Sequence, residues 1–167
     1  MKKFLFIFLI AFIFIVTGCD KKAVEDTATP KGDNEYIAAI TNDDGNMVID
    51  SESITETATF YNYEFEGITI QIIAVRASDG TVRIVFNTCQ SCNPDKNAYF
   101  IQDGDYIVCQ TCGTRIKIDD IGFKGIGCSP FYIPDDYKKV EGANIIISKE
   151  YIQKFKDKFE NWGGKLA

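Results

Sequence analysis

The chain has 167 residues, 46% of them hydrophobic, with 18 basic and 24 acidic side chains, a formal charge of −6 and no histidine. That length and apolar content support one folded domain with accessory segments, not a disordered chain. The missing histidine excludes Ser-His-Asp and Cys-His triads, mixed Cys/His zinc sites and His-ligated haem. The acidic balance speaks against a nucleic-acid partner, which needs clustered Lys and Arg.

Met1, Lys2 and Lys3 form a short basic start, and residues 4–16 are thirteen uninterrupted apolar residues. A membrane span needs about 20 such residues, so the run has the length of a signal-peptide core. Val16, Thr17, Gly18 and Cys19 follow. An aliphatic residue, two small ones and a cysteine resemble the lipobox of bacterial lipoproteins. The resemblance implies cleavage after residue 18 and lipidation of Cys19, and so a protein anchored on the extracytoplasmic face of the cell membrane. Loss of two lysines with residues 1–18 leaves a mature charge of −8. Residues 19–46 are charged, contain Pro and Gly, and carry few large apolar groups, which predicts a flexible tether. The remaining 47–167 is the expected domain.

Within it, Thr59, Tyr61, Tyr63 and Phe65 alternate with mostly polar neighbours, a period-two pattern with one buried face. Residues 68–75 are rich in β-branched side chains, and Val82, Ile84 and Phe86 again share one face. Turn signals at Glu66-Gly67 and at Ser78, Asp79 and Gly80 make the three runs an antiparallel meander. Asp103-Gly104 predicts a hairpin, and residues 144–147 a last strand. Ser148 is placed to cap a C-terminal amphipathic helix whose stripe is Tyr151, Ile152, Phe155, Phe159 and Trp162, stopped by Gly163 and Gly164. The expected fold is mainly β (α+β).

The cysteines carry the chemistry. Cys89 and Cys92 form one CxxC, Cys109 and Cys112 a second, and Cys128 follows alone. Two knuckles joined by a hairpin-length spacer can bring four thiolates to one tetrahedral ion, as in a zinc ribbon. Gly113 suits the tight turn after the second knuckle. Disulfides are the alternative that export suggests, but five cysteines beyond Cys19 leave one unpaired. A thioredoxin-like CxxC should open a helix, and Asn93-Pro94 directly after Cys92 opposes one. Spacing does not separate an iron–sulfur cluster or iron from zinc, since all accept thiolates without histidine. Cys128 reads as a further ligand, a free redox thiol or a small buried residue. No nucleophile elbow, phosphate loop or calcium loop is present.

From about residue 47 to 148 the chain resembles the membrane iron–sulfur-containing, FtrD-like family of bacterial iron-transport-associated proteins. The resemblance rests on FYNY (60–63), SDGTVR (78–83), CQSC (89–92), GDYIVCQTCG (104–113) and GCSP (127–130). Ser129 stands where the family's Gly-Cys-Asn-Pro element has Asn, and many relatives carry the module behind several membrane spans. The resemblance implies a cysteine-ligated metal or iron–sulfur centre outside the membrane, working in electron transfer or metal handling beside an iron permease or redox partner. The rival expectation is a non-catalytic lipoprotein with a zinc-stapled fold that binds a protein or envelope partner. Redox activity separates the two, because zinc has no accessible couple.

Overall fold

The computed structural model describes residues 34–166. The lipobox, Cys19 and the tether up to residue 33 lie outside the described residues. At the centre is the expected meander: β4 (Thr59–Phe65), β5 (Ile68–Arg76) and β6 (Val82–Cys89), paired antiparallel in sequence order. β1 (Glu35–Ala38) adds to one edge, parallel to β4, and β10 (Pro130–Tyr132) to the other, antiparallel to β6. The strand order is β1-β4-β5-β6-β10.

Because side chains alternate along a strand, this sheet has two apolar faces and each is covered; the one buried face expected from the Thr59–Phe65 alternation is thus corrected, since Thr59 to Tyr63 are all buried. Tyr61, Tyr63, Ile70, Ile72, Ile84 and Phe86 pack with Met47, Ile49, Ile147 and Ile152. Those partners come from a second, four-stranded sheet, ordered β11 (Lys138–Glu141), β12 (Asn144–Ile147), β3 (Met47–Asp50) and β2 (Ile40–Thr41), and from the C-terminal segment. On the opposite face Phe60, Ile73, Val75, Val85 and Cys89 meet Phe100, Ile107 and Cys109. These belong to a three-stranded sheet of β7 (Phe100–Asp103), β8 (Tyr106–Cys109) and β9 (Arg115–Lys117). The fold is mainly β, with antiparallel pairing everywhere except β1–β4.

Two expectations need adjustment. Residues 35–41 lie within the stretch read as tether, yet they form β1 and β2. Tyr36 stacks on Phe60 with ring centroids 4.9 Å apart, so even this sparsely apolar stretch has a buried anchor. The C-terminal helix, capped by Ser148 as expected, is only Lys149–Gln153 (α1). Beyond it the amides of Phe155, Lys158, Phe159 and Trp162 each donate to the carbonyl three residues back, which is 3-10 winding. So short a helix has little intrinsic stability, and its course follows packing. Phe155 lies flat on Phe86 at 4.0 Å between centroids, and Phe159 and Trp162 pack beside it. The aromatic stripe is therefore core, carried on a tighter winding than its spacing predicted.

Candidate metal centre

Three strand ends meet at one corner of the molecule. Cys89 is the last residue of β6 and Cys109 the last of β8. Because β10 runs antiparallel to β6 with Pro130 opposite Cys89, its entry point, and so Cys128, is delivered beside the end of β6. The hairpin of β7 and β8, in register Asp103↔Tyr106 through Phe100↔Cys109, brings the second knuckle against the first. The turn itself is Gly104-Asp105, one residue later than the Asp103-Gly104 signal placed it: Asp103 is the last residue of β7, paired with Tyr106, and of the expected pair only Gly104 has a positive φ, +58.

Both knuckles are built alike. The Asn93 amide donates to the Cys89 carbonyl at 3.0 Å, and the Gly113 amide donates to the Cys109 carbonyl at 2.9 Å. No helix follows Cys92; residues 90–97 are a run of turns. Gly113 has φ +70, the left-handed conformation that the sequence reading expected of it. The amides of Thr111 and Cys112 also point at the Cys109 sulfur.

The sulfurs of Cys89, Cys92, Cys112 and Cys128 all lie within 4.8 Å of one another. Cys109 is outside that mutual set, but its Sγ is 3.9 Å from Cys92 Sγ. All five are free cysteines. A metal–sulfur bond of about 2.3 Å in a tetrahedral shell puts sulfurs about 3.8 Å apart, and the 4.8 Å limit on the cluster is within about an ångström of that spacing. The donors are sulfur alone, which suits iron, iron–sulfur or zinc rather than a hard cation. The structure brings both knuckles to one place but not as the expected set of four: Cys128 is inside the closest set and Cys109 is at its margin.

Burial is uneven. Cys89 and Cys109 are buried in the core below the site, Cys92 and Cys128 are half-buried, and Cys112 is exposed. The electrostatics follow. Burial pushes the Cys109 thiol up to about 11, and burial with the neighbouring thiols pushes Cys92 up as well. Cys112 is drawn down to about 6, chiefly by the Thr114 hydroxyl 3.2 Å from its sulfur. Crowded thiols with one readily formed thiolate are an arrangement that a bound cation would complete.

Underneath runs a buried polar ladder that the sequence reading missed. Gln71 donates to Asn62 at 2.6 Å, Asn87 donates to Gln71 at 2.7 Å, and the Phe100 amide donates to Asn87 at 2.6 Å. The Trp162 indole donates to the Asn87 carbonyl at 2.8 Å. The ladder crosses β4, β5 and β6 and ties the base of the first knuckle to the outer sheet and the C-terminal segment. Three side-chain amides within the three runs of the meander were the available signal.

The family model for "Membrane iron-sulfur containing protein FtrD-like" matches residues 54–159. The chain belongs to this family. The match spans both knuckles and Cys128, and the family's description is that of a membrane iron–sulfur protein. No curated protein and no solved structure matches the chain. Among the described residues no helix is long and apolar enough to cross a membrane.

Proposed function

We propose that this FtrD-like protein is a lipoprotein, anchored through Cys19 on the extracytoplasmic face of the cell membrane, that carries an iron or iron–sulfur centre for electron transfer or metal handling beside an iron-transport system. The observation that carries the reading is the convergence of five cysteines from three chain segments, four of them within 4.8 Å of one another. Cys89, Cys92, Cys109, Cys112 and Cys128 are the ligand pool. Bound iron would supply a one-electron couple; the chain's part is to hold the sulfurs, shield one side and leave the other open. Cys89 is fully buried, whereas Cys112 faces solvent. A permease or redox partner would therefore approach from the Cys112 side.

The anchor and the tether keep the domain near such a partner and raise its effective concentration. A mature charge of −8 favours approach of a cation such as ferrous ion. The role is that of an electron carrier or metal-handling accessory, with no catalytic residue assigned. The test is a potentiometric titration of the full-length chain, purified without oxygen and followed by visible absorption. Bands that bleach and return with potential support the reading. A colourless protein holding zinc, silent across the same range, would replace it with the stapled binding module.

A further inference from the structure

The two knuckles read Cys-Gln-Ser-Cys and Cys-Gln-Thr-Cys, yet their glutamines do different things. Gln110 Nε2 donates only to the Val108 carbonyl, two residues back, at 2.9 Å. Gln90 reaches across to the segment that carries Cys128. Its Nε2 is 3.0 Å from the Pro130 carbonyl, 3.3 Å from the Gly125 carbonyl and 3.1 Å from Ser129 Oγ. Its backbone amide donates to the Ser129 carbonyl at 2.9 Å. Two of the side-chain partners are carbonyls, which only accept, so the amide nitrogen must face the loop. The loop is itself drawn tight: a Cβ on Gly125 would sit 2.6 Å from Ser129 Oγ.

Besides Gln90, Cys128 is placed by the pairing of Pro130 with Cys89 and by packing against the apolar core. It precedes a three-residue edge strand whose register with β6 shifts between Pro130 and Tyr132. We propose that Gln90 is the positioning residue for Cys128, holding that sulfur in the cluster so that the centre is built from three chain segments instead of two knuckles. This rests on the proposed metal centre. Gln90 touches no sulfur in the contacts described; it acts through the backbone on either side of Cys128. Supporting groups of this kind are worth about 10–100-fold in metal affinity.

The experiment compares Gln90→Met, the isosteric non-donor Gln90→Glu, Gln110→Met, Cys128→Ser and the double variant Gln90→Met/Cys128→Ser in the full-length chain. The readouts are the rate of iron loss to a chelator, the absorption spectrum, and alkylation of each cysteine in the metal-free chain mapped by mass spectrometry. Both Gln90 variants should lose iron about 10–100-fold faster, with an altered spectrum, while Gln110→Met stays near wild type. In the Cys128→Ser background Gln90→Met should add nothing, because a residue that acts only through Cys128 has nothing left to position. In the metal-free chain Gln90→Met should speed alkylation of Cys128 several-fold and leave Cys112 unchanged.

An undiminished Gln90→Met effect in the Cys128→Ser background would overturn the assignment in favour of general support of the fold. So would wild-type iron retention and wild-type Cys128 alkylation in the Gln90 variants. A wild-type chain that holds no metal would defeat the proposed function instead, and the alkylation arm would still decide where Gln90 holds Cys128.

Discussion

The first knuckle ends β6 of the central sheet, and the second ends β8 of the outer one. Beneath Cys89 lies a chain of buried amides from Asn62 to the Phe100 amide, and beside it the segment of Cys128. Cys109 shares the apolar cluster of Cys89 and pairs with Phe100 at the end of that chain, but Cys112 faces solvent with Thr114 as its hydrogen-bonding neighbour. Nearly identical tetrapeptides therefore serve as a fixed floor and an open rim. They share the hydrogen bond that closes each knuckle, and most of the difference comes from what each strand is embedded in.

Breaking the floor should have the largest effect. Asn87→Ala strands the Gln71 side-chain oxygen and the Phe100 amide, both buried, and should cost about 2–4 kcal/mol, read from chemical unfolding of the metal-free domain. An equal loss from Gln110→Ala, whose amide bonds only locally, would erase the distinction. Cys89→Ser and Cys112→Ser come next. Both should lower metal content, but only Cys89→Ser should also destabilise the metal-free fold, by about 2 kcal/mol, because it buries a hydroxyl whose near partners are thiols, which are weak hydrogen-bonding groups. Equal stability of the two metal-free variants would contradict the floor-and-rim description.

Smaller changes sharpen the comparison. Gly113→Ala must place a Cβ at φ +70, costing about 1 kcal/mol, whereas Asn93→Ala at the matching place in the first knuckle carries no positive-φ penalty. Once the loss of the Asn93 side-chain bonds to the Thr88 hydroxyl and the Lys158 carbonyl is allowed for, with Asn93→Asp as the reference that keeps the side-chain size, thermal midpoints should differ accordingly. The smallest effect concerns the start of the Cys128 segment. Asp119 accepts from the Ser78 amide and hydroxyl, both at 2.9 Å, and these bonds hold its carboxyl below the usual range. A depressed carboxyl stabilises the fold above its unfolded pKa of about 3.9, and that contribution is lost as pH falls through the lower folded value. The stability difference between wild type and Asp119→Ala should be present at neutral pH and disappear in acid. A difference that persists at low pH would mean that the charge is not what fastens the segment.

Much of this was legible in the sequence where periodicity and turn chemistry agreed. The alternation at Thr59 to Phe65 and the β-branched run after Gly67 correspond to β4 and β5, and the Asp103-Gly104 signal marks the β7–β8 hairpin, with the turn one residue later at Gly104-Asp105. Residues 144–147 form the last strand as expected. Pairings between distant, short segments were not legible. β1 joins β4 in parallel across some twenty residues, and β10 is three residues with a proline at its head; neither carries a local pattern. The spacing of Phe155, Phe159 and Trp162 correctly marked core side chains but overstated the length of α1, because 3-10 winding can bury the same residues. At the site, five cysteines marked the chemistry. The sequence could not rank Cys128 against Cys109, or tell Gln90 from Gln110, since those differences arise from the β6–β10 pairing.

The most direct test of the metal centre is the iron, acid-labile sulfide and free-thiol content of the full-length chain purified without oxygen. The account predicts stoichiometric iron, with all five cysteines from Cys89 to Cys128 recovered as thiols once the metal is removed. No metal, and at most one free thiol among those five, would mean disulfides and would contradict it.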